Sequence, residues 1–215
     1  MAIDSTKLYS PEEALVLVKK TSKTKFDATV EVHCHLGINA SKSGEQVRAT
    51  VAFPHGTGKV LRIAAFVGAA QEKDAQEAGA DIIGDERLID EIASSKKIAF
   101  DVAIATPEMM PRLAKIAKIL GPKGLMPNPK SETVSSDVKK TIAALKHGRS
   151  TFKNDDTGNV HIAIGKVSFE TAKLLENFTA FMEVLRRAKP SSSKGIFIQS
   201  CAVKSTMGPA IKVTT

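Results

Sequence analysis

Val60-Leu61-Arg62-Ile63-Ala64-Ala65-Phe66-Val67 is an almost unbroken apolar run. That is the pattern of a strand covered on both faces. Upstream, Thr29-Val30-Glu31-Val32-His33-Cys34-His35-Leu36 reads differently. Val30, Val32, Cys34 and Leu36 point one way and Thr29, Glu31, His33 and His35 the other, so this strand buries one face and presents the other. Between the two lies Pro54-His55-Gly56-Thr57-Gly58, a string of turn formers. Two kinds of sheet therefore share one chain. Downstream of Val67, Ala70 to Gly79 reads as a helix with a glycine stop. Ala80 to Ile83 is a short strand. Asp85 to Lys97 is an amphipathic helix with Leu88, Ile89 and Ile92 on one side. Phe100 to Ala105 is a second buried strand, Pro107 to Leu120 a helix, Gly121 to Pro129 a loop and Ser136 to His147 a helix. Such alternation predicts βαβ units around a parallel sheet, Rossmann-like in layout.

The flanks follow another plan. Ser10 is a good N-cap for a helix opened by Pro11-Glu12-Glu13, with Ala14, Leu15 and Val18 in its apolar stripe. A strand is expected around Val47 to Phe53. After Gly148, Phe152 leads into a turn at Asn154-Asp155-Asp156-Thr157-Gly158. An alternating strand spans Val160 to Ile164, a helix Ser168 to Ala188, and strands Ile196 to Lys204 and Ile211 to Val213. The fold class is thus α/β with two domains. Residues 1–58 and 150–215 form a discontinuous α/β domain, layered as an α+β sandwich. Residues 59–149 form an inserted Rossmann-like three-layer domain. Two crossings rich in turn formers permit hinge motion.

The 215 residues carry a net charge of +8 and a pI near 9.5. A positive balance favours a polyanionic partner, because Lys and Arg that neutralise phosphates release condensed counterions. The excess is spread out: +1 over 1–58, +3 over 59–149 and +4 over 150–215. One Tyr and no Trp argue against stacking many single-stranded bases. Folded RNA, recognised by shape, backbone and a few base edges, suits this composition better. No window has the length of a membrane span, and Met1 to Pro11 lacks a secretory pattern, so a cytoplasmic protein is expected. Cys34 and Cys201 lie far apart in sequence with no metal-type spacing and are expected as free, buried thiols.

Catalytic readings fare poorly. Gly56-Thr57-Gly58-Lys59 resembles the end of a phosphate loop, but Phe53 stands where the earlier glycine belongs and Val60 replaces the Ser or Thr that would hold magnesium. Phe66-Val67-Gly68-Ala69-Ala70 lacks the dinucleotide fingerprint. No nucleophile elbow or zinc-protease helix occurs. Asp155 and Asp156 sit where acids favour turns. His33 and His35 share a strand face and can both ligate a metal, but no further ligand is obvious nearby. No enzyme activity, cofactor or metal is expected. The outward strand positions Thr29, Glu31, His33, His35, His161, Ser200 and Lys204 form a polar face. It suits hydrogen bonds to sugars and phosphates, and equally a solvated sheet face.

Several stretches resemble one family. They are Lys25-Phe26-Asp27-Ala28-Thr29-Val30-Glu31-Val32 with Leu36-Gly37-Ile38, Pro54 to Gly58, Gly121-Pro122-Lys123-Gly124-Leu125-Met126-Pro127-Asn128-Pro129-Lys130, Asn154 to Gly158, and Ser205-Thr206-Met207-Gly208-Pro209. In that order they resemble ribosomal protein L-one of the bacterial type, over nearly the whole chain. The resemblance implies two hinged domains and a non-enzymatic constituent of the large ribosomal subunit. It implies binding to the stalk junction of large-subunit ribosomal RNA, a part in the mobile stalk that assists release of deacylated tRNA from the exit site, and repression of the protein's own message. Partners would be ribosomal RNA, exit-site tRNA and the protein's own mRNA, with no membrane and a monomer when free, in the cytoplasm on the ribosome. The RNA-binding residues it implies are Lys25, Phe26, Thr29, Glu31, Asn154, Asp155, Thr157, Gly158, His161, Ser200, Thr206, Met207 and Gly208. The segment before Ser10 departs from the family by lacking a basic stretch. An enzyme with a nucleotide site in the middle segment and a repressor that never joins the ribosome are the competing readings.

Overall fold

The computed structural model describes Asp4 and residues 6–40, 43–68, 71–129, 132–193 and 195–214. Ala70, the expected start of a helix, and Lys130, the end of the proline-rich decapeptide, lie outside them. The chain forms two compact units, 1–59 with 147–215 and 60–146.

Helix α1 (Pro11–Thr21) starts where the sequence caps it. The Ser10 hydroxyl accepts from the Glu13 N–H at 3.3 Å, and the Glu13 carboxylate accepts from the Ser10 N–H at 3.3 Å, a reciprocal capping box. Strands β1 (Thr29–Leu36) and β2 (Arg48–Ala52) follow. The next unit contains β3 (Ile63–Phe66), α2 (Glu72–Glu77), β4 (Ile82–Gly84), α3 (Glu86–Ser95), β5 (Val102–Ala105), α4 (Met110–Leu113), α5 (Ala117–Leu120) and α6 (Val138–Lys146). The chain then returns through β6 (Arg149–Lys153), β7 (Asn159–Lys166), α7 (Thr171–Arg187), β8 (Ile198–Ser205) and β9 (Ile211–Val213).

In the unit built from both termini, four antiparallel strands run in the order β7-β1-β8-β9. One face is apolar: Val30, Val32, Cys34 and Leu36 are buried with Val160, Ile162, Ile164, Cys201, Val203, Ile211 and Val213. Helices α1 and α7 supply Leu15, Val18, Leu174, Phe178, Phe181 and Leu185 to the same core. Each such side chain contributes roughly 1.5–3 kcal/mol when fully buried. A polar residue sits inside this core. Asn177 of α7 is fully buried. Its amide donates to the carbonyls of Ile164 at 2.7 Å and Gly56 at 2.9 Å and accepts from the His55 N–H at 3.3 Å. The turn at 54–58 is thereby tied to α7.

Arg149 to Lys153 corrects the sequence reading, which has Phe152 leading directly into a turn. It is a strand, paired antiparallel to β2 from Arg48↔Lys153 to Ala52↔Arg149. Its five residues hold one apolar side chain, so local pattern gives little signal; the partner lies about a hundred residues upstream, with Thr50 and Thr151 directly opposed. Phe152 meets the edge of Phe181 at 5.3 Å between centroids.

In the middle unit, β4-β3-β5 form a parallel sheet. Ile63 and Ala65 face Ala75, Val138, Ile142 and Leu145 of α2 and α6. Ala64 and Phe66 face Ile89, Ile92, Leu113, Ile116 and Leu120 on the other side. Alternate residues of β3 thus enter different cores, which is why the run 60–67 lacks polar alternation. Two expectations are corrected here. Strand β3 is shorter than the apolar run, because pairing extends only from Ile63 to Phe66, and Val60 is 91% exposed. The helix expected over Pro107 to Leu120 is broken into short α and 3-10 turns. Pro111, within its first α turn, has no N–H for the α ladder, and Ile116 departs from helical geometry at φ −103°, ψ 7°.

Candidate nucleic-acid interface

The polar face of the antiparallel sheet assembles from strands distant in sequence. Register places Glu31 beside Lys204, His33 between His161 and Ala202, and His35 between Asn159 and Ser200. From Thr29 to His35 this strip is about 20 Å long at the rise of an extended strand.

One end is locked by two threonines. The Thr206 N–H donates to the Thr29 carbonyl at 2.9 Å, and the Thr29 N–H donates back to the Thr206 hydroxyl at 3.2 Å. The Lys166 ammonium donates to the Thr29 hydroxyl at 2.9 Å. Just beyond Thr206, Met207 adopts φ +63° and is 85% exposed. A left-handed backbone at a residue with a Cβ costs roughly 1–2 kcal/mol. The largely exposed apolar side chain of Met207 gains no burial to offset that cost. A Cβ on Gly208 would lie 2.3 Å from the Ser205 hydroxyl oxygen, so any larger residue there forces that hydroxyl to turn away. Phe26, three residues before Thr29, is 57% exposed, and Lys25 beside it is exposed. Two large apolar groups and two lysines thus flank one backbone lock.

The opposite end holds the turn before β7. Asp155 accepts from the N–H groups of Thr157 at 2.9 Å and Asn159 at 2.7 Å, and from the Thr157 hydroxyl at 2.9 Å. Burial pushes its carboxyl upward, but these bonds outweigh it and hold the group well below the usual carboxylate range. Asn154 is 5% exposed and accepts from the Val47 N–H at 2.7 Å. It therefore shapes the turn from beneath. Gly158 takes φ +82° and its carbonyl accepts from the Leu36 N–H at 2.9 Å. Thr157 and Ser200 are exposed at this end. The candidate residues thus fall into two groups at opposite ends of one strip.

Between them lies a histidine pair. His33 and His161 share a hydrogen bond of 2.7 Å between their Nδ1 atoms. Glu31 lies 3.5 Å from His33 Nε2, and Asp155 lies 3.6 Å from His161 Nε2. His35 instead bonds the Asn159 side-chain carbonyl through Nδ1 at 2.8 Å. His33 and His35 therefore have separate partners, and among the described residues no group of three or more His, Cys, Asp or Glu is placed to hold a metal ion. Behind the strip, Cys34 and Cys201 are free and buried, and the structure brings them together across β1 and β8 with Sγ atoms 3.4 Å apart. That bond to Cys201 and burial hold the Cys34 thiol far above its ordinary range, where it stays protonated.

Sequence reasoning missed Lys166 as a member of this strip, and left His33 without a role. Their signal is the inter-strand register, which no local pattern contains.

Two α/β units, one presenting a polar, lysine-bearing sheet face backed by helices, have the build of a binding protein. Comparison makes the class specific. The model of the Ribosomal protein L1p/L10e family matches residues 18–209, and the chain belongs to that family. It is 50% identical over 213 residues to large ribosomal subunit protein uL1 of two Chloroflexus aurantiacus strains, J-10-fl and Y-400-fl, covering 98% of this chain and 90% of each relative. As a member of this family the chain is a structural, non-enzymatic component of the ribosome, and so resides on cytoplasmic ribosomes. No helix of the described residues is long and apolar enough to cross a membrane.

Proposed function

We propose that the chain is a constituent of the large ribosomal subunit and binds the stalk junction of its RNA through the polar strip of the terminal unit. Residues 1–58 and 150–215 form the RNA-binding domain. The observation that carries this reading is Met207, exposed and left-handed beside the Thr29–Thr206 lock. Strain and exposed apolar surface at one residue are offset when a ligand covers it. A ribose or base face is such a cover. Around it, Lys25 and Lys166 meet phosphates, Phe26 packs on a sugar or base, and Thr206 and Ser200 bond ribose hydroxyls. Glu31 has acceptors only, which suits a 2′-hydroxyl or an exocyclic amine. Asn154, Asp155, Thr157 and Gly158 hold the far edge, where His161 begins the central pair. Residues 59–149 form the inserted domain, hinged on the first, and the assembled stalk assists release of deacylated tRNA from the exit site. The same site represses translation of the protein's own message when that message folds alike.

Titration of the purified chain against a large-subunit RNA fragment carrying the junction tests this. A tight complex is expected, weakened by about 1–3 kcal/mol in Met207→Ala with the fold intact. Binding that any RNA matches, or that Met207→Ala leaves unchanged, removes this site from the function.

A further inference from the structure

We propose that RNA binding on this strip is coupled to the uptake of one proton by the His33–His161 pair. The inference rests on the RNA reading above.

The geometry limits the pair to one extra proton. The 2.7 Å bond between the two Nδ1 atoms requires a proton on one and a lone pair on the other. A neutral pair satisfies this with one proton on Nδ1 and one on the opposite Nε2. A single added proton is accommodated on the free Nε2, which faces Glu31 on one side or Asp155 on the other. A second added proton would make both Nδ1 atoms donors and break the bond between two like charges. The charged groups around the pair are Glu31 on β1, Asp155 in the turn before β7 and Lys204 on β8, with His35 two residues along β1.

In the free protein His33 is poised toward the neutral state. Burial lowers the affinity of His33 for a proton, the charges of His161 and Lys204 lower it further, and Glu31 opposes them only in part. His33 Nε2 is also buried without a hydrogen-bond partner. The pair stands midway along the strip, between the Thr206 end and the Ser200 end. RNA spanning both ends passes over it and brings phosphates to it. Their negative charge offsets Lys204 and stabilises the imidazolium, so a proton moves from solvent to the pair as the complex forms.

The test uses the whole chain and the junction RNA fragment at fixed ionic strength between pH 5.5 and 8.5. Affinity is expected to rise as pH falls, approaching tenfold per pH unit where the bound pair is charged and the free pair neutral. Calorimetry at pH 7 in two buffers of different ionisation enthalpy should report uptake approaching one proton. His33→Gln and His161→Gln should each abolish most of that uptake, while titration of the RNA's own bases stays the same in all three proteins. In RNA-free protein, imidazole NMR should show the two rings gaining one proton together between pH 5 and 8, a readout that does not depend on the variants folding. Binding that is flat with pH, or equal uptake in the variants, overturns the coupling and leaves the RNA site standing. No binding at any pH overturns both.

Discussion

Met207 shows how one residue carries competing demands. Its left-handed backbone would suit glycine, and its exposed side chain gains nothing from the fold. Met207→Gly relieves about 1–2 kcal/mol of strain, partly offset by about 0.4–1 kcal/mol from the freer unfolded chain. Stability of the terminal unit should therefore hold or rise slightly, while RNA affinity falls as in Met207→Ala. Denaturant unfolding and RNA titration of the same variant check both signs; loss of stability without loss of binding would reverse the assignment. His33 makes a pH-dependent demand of its own. Its folded proton affinity lies below the unfolded value, so its contribution to stability is complete above pH about 6.5. It is lost as pH falls through the lowered folded value. The RNA-free melting midpoint should drop on acidification from pH 7 to 5, and drop less in His33→Gln.

Among the elements, α7 and the crossing segments matter most for placing the site. Asn177→Ala removes an amide that serves His55, Gly56 and Ile164 from within the core. Leaving such buried groups unpaired costs about 1–3 kcal/mol each; a total of about 3 kcal/mol is expected in urea unfolding of the terminal unit. A cost below about 1 kcal/mol would mean that water replaces the amide freely. Gly148 adopts φ +96°, and a Cβ on it would stand 2.4 Å from the Gly56 Cα. Both obstacles are backbone, so Gly148→Ala should destabilise at least as much as Asn177→Ala, and a near-neutral result would show that the two crossings separate easily.

For the whole molecule, the net charge of +8 is moderate, and most of it belongs to the terminal unit: residues 1–59 with 147–215 hold 18 basic and 11 acidic groups, net +7, against +1 for 60–146. If Lys25, Lys166 and Lys204 each meet one phosphate, the slope of log affinity against log salt should be about −2 to −3. A much steeper slope would mean that general attraction dominates over shape and hydrogen bonding. Co-sedimentation with large subunits separates a ribosomal protein that also represses its message from a repressor that never joins the ribosome.

The sequence by itself determined the α/β class, the capped first helix and the two kinds of strand, because side-chain period and capping chemistry are local. The alternation in Thr29–Leu36 already separated the buried face from the polar one. It also held the family motifs, and with them Thr206, Met207 and Gly208. Tertiary structure alone decided the rest. Strand β6 exists because β2 pairs with it from far upstream, and β3 begins only at Ile63 because its pairing with β5 begins there. The histidine pair, the Lys166–Thr29 bond and the meeting of Cys34 with Cys201 all come from register between strands that lie more than 120 residues apart. Register is fixed by burying one face of the whole sheet at once, and a one-residue slip would turn every side chain to the other face.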